Sequence, residues 1–192
     1  MISFVIITDK QEPEKLAKAI DSIRALKVPG AELFVVEDRH RSGRLGALRN
    51  TGCRMTNNPV VVVSDDDIYF HPDFYEGLQK YGDDFDILSC KILNPDGSRY
   101  WDWKINVNGK NELLDYDKTS ENQSLTGGLT IMKRRVFEKV QWDETRGFYQ
   151  EEDVDFTKRA RAAGYRIAFN KNSTVTHDGP YTQAEKWVLR TE

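Results

Sequence analysis

The sequence predicts an α/β protein with a mainly parallel central sheet flanked by helices. Three observations predict it. Short β-branched runs at residues 3–8, 32–37 and 60–63 alternate with helix-patterned segments. Residues 13–26, between the first two runs, carry Leu16, Ala19, Ile20 and Ile23 at helical spacing, which makes a strand–helix–strand unit with a right-handed crossover. The four consecutive valines Val60 to Val63 are apolar on both faces, as a buried central strand requires. At 192 residues the chain fits one domain with a sizeable core.

Each element has its own signal. Pro13 suits the first turn of the first helix, and Pro29-Gly30 closes the unit. No G-x-G-x-x-G follows the first strand, which argues against a dinucleotide site of the usual kind. The second strand ends in Glu37-Asp38, at a carboxyl edge. Residues 39–46 are polar and basic with two glycines, and read as a mobile loop. Residues 47–55 read as a short helix with Arg49 and Asn50, broken by Asn57-Asn58-Pro59. After the valine strand, Pro72 opens a helix that ends near Tyr81-Gly82. Residues 86–93 read as a fourth strand, and Asn94-Pro95-Asp96-Gly97 as a turn.

The second half is less regular. Residues 99–107 alternate loosely, as in a hairpin. Residues 108–124 are polar and patternless, and read as an excursion over the surface. Strand character resumes at 126–132, where Gly127 and Gly128 suggest a close backbone approach. A short helix at 134–140 and an aromatic loop at 142–149 follow. Residues 151–163 read as a helix with acids in its first turn and bases later, closed by Gly164. Two short strands at 166–169 and 174–177 precede a terminal helix at 181–192. The domain thus divides into a half at about 1–93 and a half at about 94–180, with a short tail.

The net charge of -3 and the lack of a basic stripe predict no nucleic-acid partner. With no charged and apolar leader and no apolar stretch of spanning length, neither a signal peptide nor a transmembrane segment is expected. Cys53 and Cys90 lie outside any metal-ligand spacing, one in a helix-like and one in a strand-like segment. They read as buried free thiols of a soluble, cytoplasmic protein.

The chemistry centres on Asp65, Asp66 and Asp67, just past the valine strand. Three adjacent carboxylates repel one another, and a hard divalent cation relieves that repulsion. They also sit where open α/β sheets bind ligands, beyond the carboxyl ends of strands. An acidic loop capping the next helix accounts for the same residues.

In order, the strand–helix–strand start, Gly46-Ala-Leu-Arg-Asn-Thr-Gly52, Asp65-Asp-Asp67, Thr126-Gly-Gly128, Glu152-Asp153 and His177 resemble a nucleotide-sugar glycosyltransferase of the large family-two type. The resemblance covers about residues 2–179. It implies the GT-A fold, a Rossmann-like three-layer sandwich whose first half binds the nucleotide and whose second half takes the acceptor. It also implies a metal-dependent transfer from a nucleoside-diphosphate sugar, UDP-sugar favoured, to a hydroxyl of a glycan or small acceptor, with inversion.

Residue by residue, the resemblance makes Asp65 and Asp67 the outer positions of a D-x-D motif with Asp66 between them. The run of three leaves the register open by one. Asp65, Asp67 and His177 become metal ligands, and an imidazole favours Mn²⁺ over Mg²⁺. Asp153 becomes the catalytic base beside Glu152. Asp9, Glu37, Asp38, Arg49, Asp65, Asp66, Gly127 and Gly128 become the nucleotide and donor contacts. Bland accounts remain open: a solvated histidine at a strand end for His177, helix capping for residues 151–155, and an ion pair with a strand-end carboxylate for Arg49. Trp101, Trp103, Trp142 and Tyr149 are candidate stacking platforms for an acceptor sugar, with core packing expected for at least two of the four. A nucleotidyltransferase is the nearest competing enzyme, but it needs a glycine-rich loop after the first strand, and residues 8–13 contain no glycine. A non-catalytic nucleotide-sugar or glycan-binding module is the competing reading from another class.

Overall fold

The computed structural model describes residues 1–40, 42–107, 110–121, 123–146 and 151–179. In chain order the elements are β1 (Ile2–Thr8), α1 (Pro13–Ala25), β2 (Glu32–Glu37), α2 (Leu45–Met55), β3 (Val60–Asp65), β4 (Ile68–Phe70), α3 (Asp73–Tyr81) and β5 (Ile87–Leu93). They continue with β6 (Lys104–Val107), β7 (Lys110–Leu113), β8 (Gln123–Ser124), β9 (Leu129–Lys133), α4 (Arg134–Phe137), α5 (Glu152–Ala162) and β10 (Ile167–His177).

The main sheet has seven strands in the order β2-β1-β3-β9-β5-β10-β4. Strands β2, β1, β3, β5 and β10 point one way, whereas β9 and β4 run against them. The carboxyl ends of the five co-directional strands therefore share one edge. That edge carries Thr8, Glu37, Asp65 and His177.

The period-two alternation of β1 builds a core on each face. Phe4 and Ile6 join Ala19 and Ile23 of α1 and Phe74 and Leu78 of α3 on one side. Val5 and Ile7 join Cys53 of α2 and Phe156 and Ala160 of α5 on the other. Helices on both faces of the sheet make the three-layer architecture that the sequence predicts.

Packing of α2 on β1 is close at one point. A Cβ at Gly52 would collide with Val5 Cγ1. Gly52→Ala is therefore expected to destabilise the fold by about 1–3 kcal/mol through overpacking. Chemical denaturation checks this, and the cost is expected to appear as a lower midpoint with an unchanged slope.

The structure differs from the sequence reading in several places. Ile68–Phe70 is a strand of its own, antiparallel to β10, directly after the aspartates. Residues 108–124 contain β7 and β8, which with β6 form a separate sheet in the order β7-β6-β8. The two short strands expected at 166–169 and 174–177 are one strand, β10, whose register shifts between Asn170 and Thr174. Asn170 Nδ2 donates to Gly77 O, and Ser173 Oγ donates to Phe74 O, so the irregularity seats on α3. The loop read as mobile at 39–46 is tied down, since Asp38 accepts hydrogen bonds from Ser42 Oγ and Gly43 N. The tail helix expected at 181–192 lies outside the described residues.

Candidate active site

The site forms at the shared carboxyl edge around the backbone of Gly127-Gly128. β3 reaches it because Asp65 N donates to Gly128 O at 3.0 Å. α2 reaches it through Arg49, whose Nη2 donates to Gly127 O at 2.9 Å. A Cβ at Gly127 would meet Glu152 Oε1 at 3.2 Å and Asp153 Cβ at 3.7 Å. A Cβ at Gly128 would meet His177 Cδ2 at 3.5 Å and Asp65 Oδ2 at 3.8 Å. The absent side chains thus let the aspartate–histidine cluster and the Glu152-Asp153 turn approach the same stretch of backbone.

Arg49 is the internal brace of this arrangement. It is 2% exposed and makes ion pairs with Glu152 Oε1 at 2.5 Å and Asp65 Oδ1 at 3.2 Å. Of the two accounts open in the sequence, the ion pair describes what its guanidinium does. Glu152 is in turn 7% exposed and paired with Arg49. That pair ties the start of α5 to α2.

The three aspartates diverge. Asp65 turns to Arg49. Asp66 turns to the end of β1, where Thr8 Oγ1 donates a short hydrogen bond to it. Asp67 turns to His177, whose Nε2 lies 3.6 Å from Asp67 Oδ2. Burial pushes the Asp65 carboxyl up to about 6, against the pull of Arg49. Burial and the adjacent Asp66 push Asp67 up to about 6 as well. Burial also lowers the His177 imidazole, which stacks on Tyr100 with centroids 4.3 Å apart. Asp178, next in the chain, is held by its N–H to Asp67 O and by the Tyr69 hydroxyl.

The Asp67–His177 pair fits a divalent cation. Asp67 Oδ1 is buried with no hydrogen-bond partner, two acidic groups are held above their ordinary range, and the imidazole is biased to its neutral, ligating form. Among the described residues no group of three His, Cys, Asp or Glu side chains forms a metal cage by itself. Of the expected trio of Asp65, Asp67 and His177, Asp65 gives its Oδ1 to Arg49 at 3.2 Å, and Asp67 and His177 lie 3.6 Å apart.

At the ends of β1 and β2, Asp9 is exposed and caps Gln11 N. Glu37 pairs with Lys10 at 2.7 Å and Arg39 at 3.6 Å, which lowers its carboxyl from the usual range, the Lys10 hydrogen bond contributing most. Lys10, Val35, Val36, Glu37, Arg39 and Met55 line a cleft of about 540 Å³ at this end of β2. Asp38 is buried and occupied by its own loop.

The aromatic candidates separate. Trp142 is 3% exposed and stacked on Phe156, with Asn50 bonded to its backbone. Trp103 is 1% exposed, tilted against Phe169, and donates its indole N–H to Lys118 O. Both are core side chains, not platforms. Trp101 is half-buried against the core, and Tyr149 lies outside the described residues. Sequence reasoning missed Lys104. It is 6% exposed, and its Nζ lies 3.7 Å from Asp153 Oδ2. A lone lysine in a loosely alternating stretch carries no signal that would have found it.

A family model described as glycosyl transferase family 2 matches residues 5–141, more than half of the chain. Solved structures share the fold at low identity. A Drosophila beta1,4galactosyltransferase 7 mutant in complex with manganese, UDP-Gal and xylobiose superposes with a TM-score of 0.63 at 16% identity, over 96% of this chain and 73% of that one. TarS 1-349 of S. aureus in complex with UDP-GlcNAc gives 0.66 at 17%, over 95% of this chain and 60% of that one. GalNAc-T7 with UDP, GalNAc and Mn2+ gives 0.68 at 14%, over 93% of this chain but 44% of that one. No helix among the described residues is long and apolar enough to cross a membrane.

Proposed function

Because the chain belongs to glycosyl transferase family 2 and is a glycosyltransferase with a GT-A fold, we propose that it moves a sugar from a UDP-sugar to an acceptor hydroxyl with inversion, aided by a divalent cation, Mn²⁺ favoured over Mg²⁺. The observation that carries this reading is the convergence on Gly127-Gly128 of the Asp67–His177 pair and of Asp153. One cluster suits the diphosphate and the other suits a proton acceptor. The neighbours solved with UDP, UDP-sugars and manganese support the donor class.

Asp67 and His177 would hold the cation, which when bound offsets the charge of the leaving diphosphate. The rest falls to the chain's own side chains. The cleft beside Glu37 and the end of β1 at Thr8-Asp66 receive the nucleoside. Asp153 sits in the first turn of α5, where Glu152 is clamped by Arg49 and Thr157 Oγ1 donates to Asp153 O at 2.7 Å. Its Oδ1 accepts from Val154 N at 2.8 Å, while its Oδ2 takes the proton of the acceptor hydroxyl. That oxygen bonds to the anomeric carbon from the face opposite the diphosphate, and UDP departs with the electron pair of the broken bond.

Asp153→Asn is expected to bind UDP with Mn²⁺ as the wild type does and to lose about a hundredfold or more in transfer, the usual worth of a positioned base. Initial-rate assays of UDP release across a UDP-sugar panel check this. Near wild-type transfer by the variant would remove Asp153 from the base role. A protein that binds UDP-sugar without turning it over under any condition would favour the binding-module reading.

A further inference from the structure

Lys104 has no role in the chemistry above, yet it is one of the most buried cations among the described residues. The strand that carries it is pinned by Asp102, which is fully buried and accepts hydrogen bonds from Arg99 Nε at 2.8 Å, Tyr116 Oη at 2.8 Å and Ile92 N at 3.2 Å. Lys104 opens β6 directly after this knot. Its ammonium points at Asp153, 3.7 Å from Oδ2, beyond hydrogen-bonding distance. No described residue accepts a hydrogen bond from it, although the residue is 6% exposed.

A second observation lies opposite. Ser124 of β8 is the direct antiparallel partner of Lys104. Such partners project from the same face of a sheet. Ser124 is 2% exposed, and its hydroxyl oxygen is buried without a hydrogen-bond partner. Leu125 N donates to Thr157 Oγ1, and that hydroxyl donates to Asp153 O, so this face is tied to the turn that carries the base.

An ammonium offers three donors and no acceptor, and a hydroxyl offers one more donor. Buried donors without acceptors are costly, and a buried charge without a counter-charge more so. A neutral sugar hydroxyl supplies an acceptor atom but no charge. The reaction sharpens the point. When Asp153 takes the proton it becomes neutral, and Lys104 loses its only counter-charge among the described residues. A negatively charged oxygen group on the acceptor satisfies both donors and keeps the ammonium paired through the transfer.

We propose that Lys104 and Ser124 form the subsite for an anionic oxygen group, a carboxylate or a phosphate, carried by the acceptor beside the hydroxyl that attacks. This rests on Asp153 being the base. The acceptor is then an acidic saccharide or a sugar phosphate rather than a neutral glycan.

The test is a calorimetric titration of the full chain, first shown to bind UDP and Mn²⁺. Three probes are compared: methyl β-D-glucoside, methyl β-D-glucuronide and the 6-phosphate of the glucoside. The expected result is that one acidic probe binds about tenfold tighter than the neutral one, the worth of one charge-assisted hydrogen bond. Which probe wins identifies the carboxylate or the phosphate. Lys104→Met is expected to erase the difference, whereas Lys104→Arg keeps most of it, with melting curves confirming that each variant is folded. Equal binding of all three probes, binding of none, or a preference that survives in Lys104→Met would each overturn the subsite. Failure of UDP and Mn²⁺ to bind overturns the transferase reading instead. The probes are then titrated without nucleotide, against the same criteria.

Discussion

Arg49→Met is expected to destabilise the protein by about 3–5 kcal/mol, the cost of breaking a buried ion pair from one side. The guanidinium is 2% exposed and serves Glu152, Asp65 and the Gly127 carbonyl at once. Without it the buried Glu152 and the half-buried Asp65 lose a counter-charge, and one carbonyl loses its donor. For a domain of this size the loss corresponds to a fall in melting temperature of very roughly 6–20 °C. The cost grows with pH. Asp65 already resists ionisation because of burial, and Arg49 is the strongest influence pulling it back. The variant is therefore expected to approach the wild type at pH 4 and to fall away from it by pH 8, where the Asp65 carboxyl is forced to ionise without Arg49. Thermal melts across that range check the sign. A second variant, Arg49→Met with Glu152→Gln, is expected to recover part of the loss, because one of the stranded charges is gone. If Arg49 served only to bind nucleotide, the ligand-free melting temperature would not move.

Asp67→Asn is expected to act in the opposite direction on the metal-free protein. The Asp67 carboxyl is pushed from 3.8 up to about 6 in the folded state, by burial first and Asp66 second. A folded-state value above the unfolded one means that ionisation opposes folding. The metal-free protein is most favoured by this group below pH 3.8, loses stability as pH rises towards 6, and carries the full penalty above that. Two units correspond to about 3 kcal/mol. The neutral amide removes most of that penalty, so the variant is expected to melt several degrees higher than the wild type at pH 7.5 and alike at pH 4. It also removes a charged ligand, so the rise in melting temperature that Mn²⁺ and UDP give the wild type is expected to vanish. A more stable protein that no longer responds to metal marks a site kept under electrostatic strain for its ligand. A variant that is less stable in the absence of metal would show that Asp67 belongs to the scaffold.

The sequence carried the parts of this picture that depend on neighbours along the chain. Period and composition suffice for β1, α1, β2, the valine strand and α5, because each signal lies within one element. Asp65, Asp66 and Asp67 stand out because three carboxylates after a buried strand are conspicuous in one dimension. What escaped depends on partners far away. β4 has three residues and β8 has two, too short for any period to show, and each exists only because a distant strand pairs with it. Arg49 meets Glu152 across 103 positions, so its burial is invisible locally. The bulge in β10 looked like a gap between two strands because Lys171 and Asn172 are polar, whereas α3 supplies the contacts that carry the strand through. In the sequence Trp142 stands in an aromatic loop and is one of four candidate platforms, of which at least two are expected in the core. Its loop is drawn inward by Asn50, and the ring packs on Phe156.

The measurement closest to the central claim is a calorimetric titration of UDP into the wild-type protein, once with Mn²⁺ and once with a chelator. The expected result is binding that strengthens by at least about tenfold with the metal, together with loss of that gain in Asp67→Asn. Equal affinity with and without Mn²⁺, or a metal effect untouched by Asp67→Asn, would contradict the assignment of Asp67 and His177 to a cation that helps hold the diphosphate.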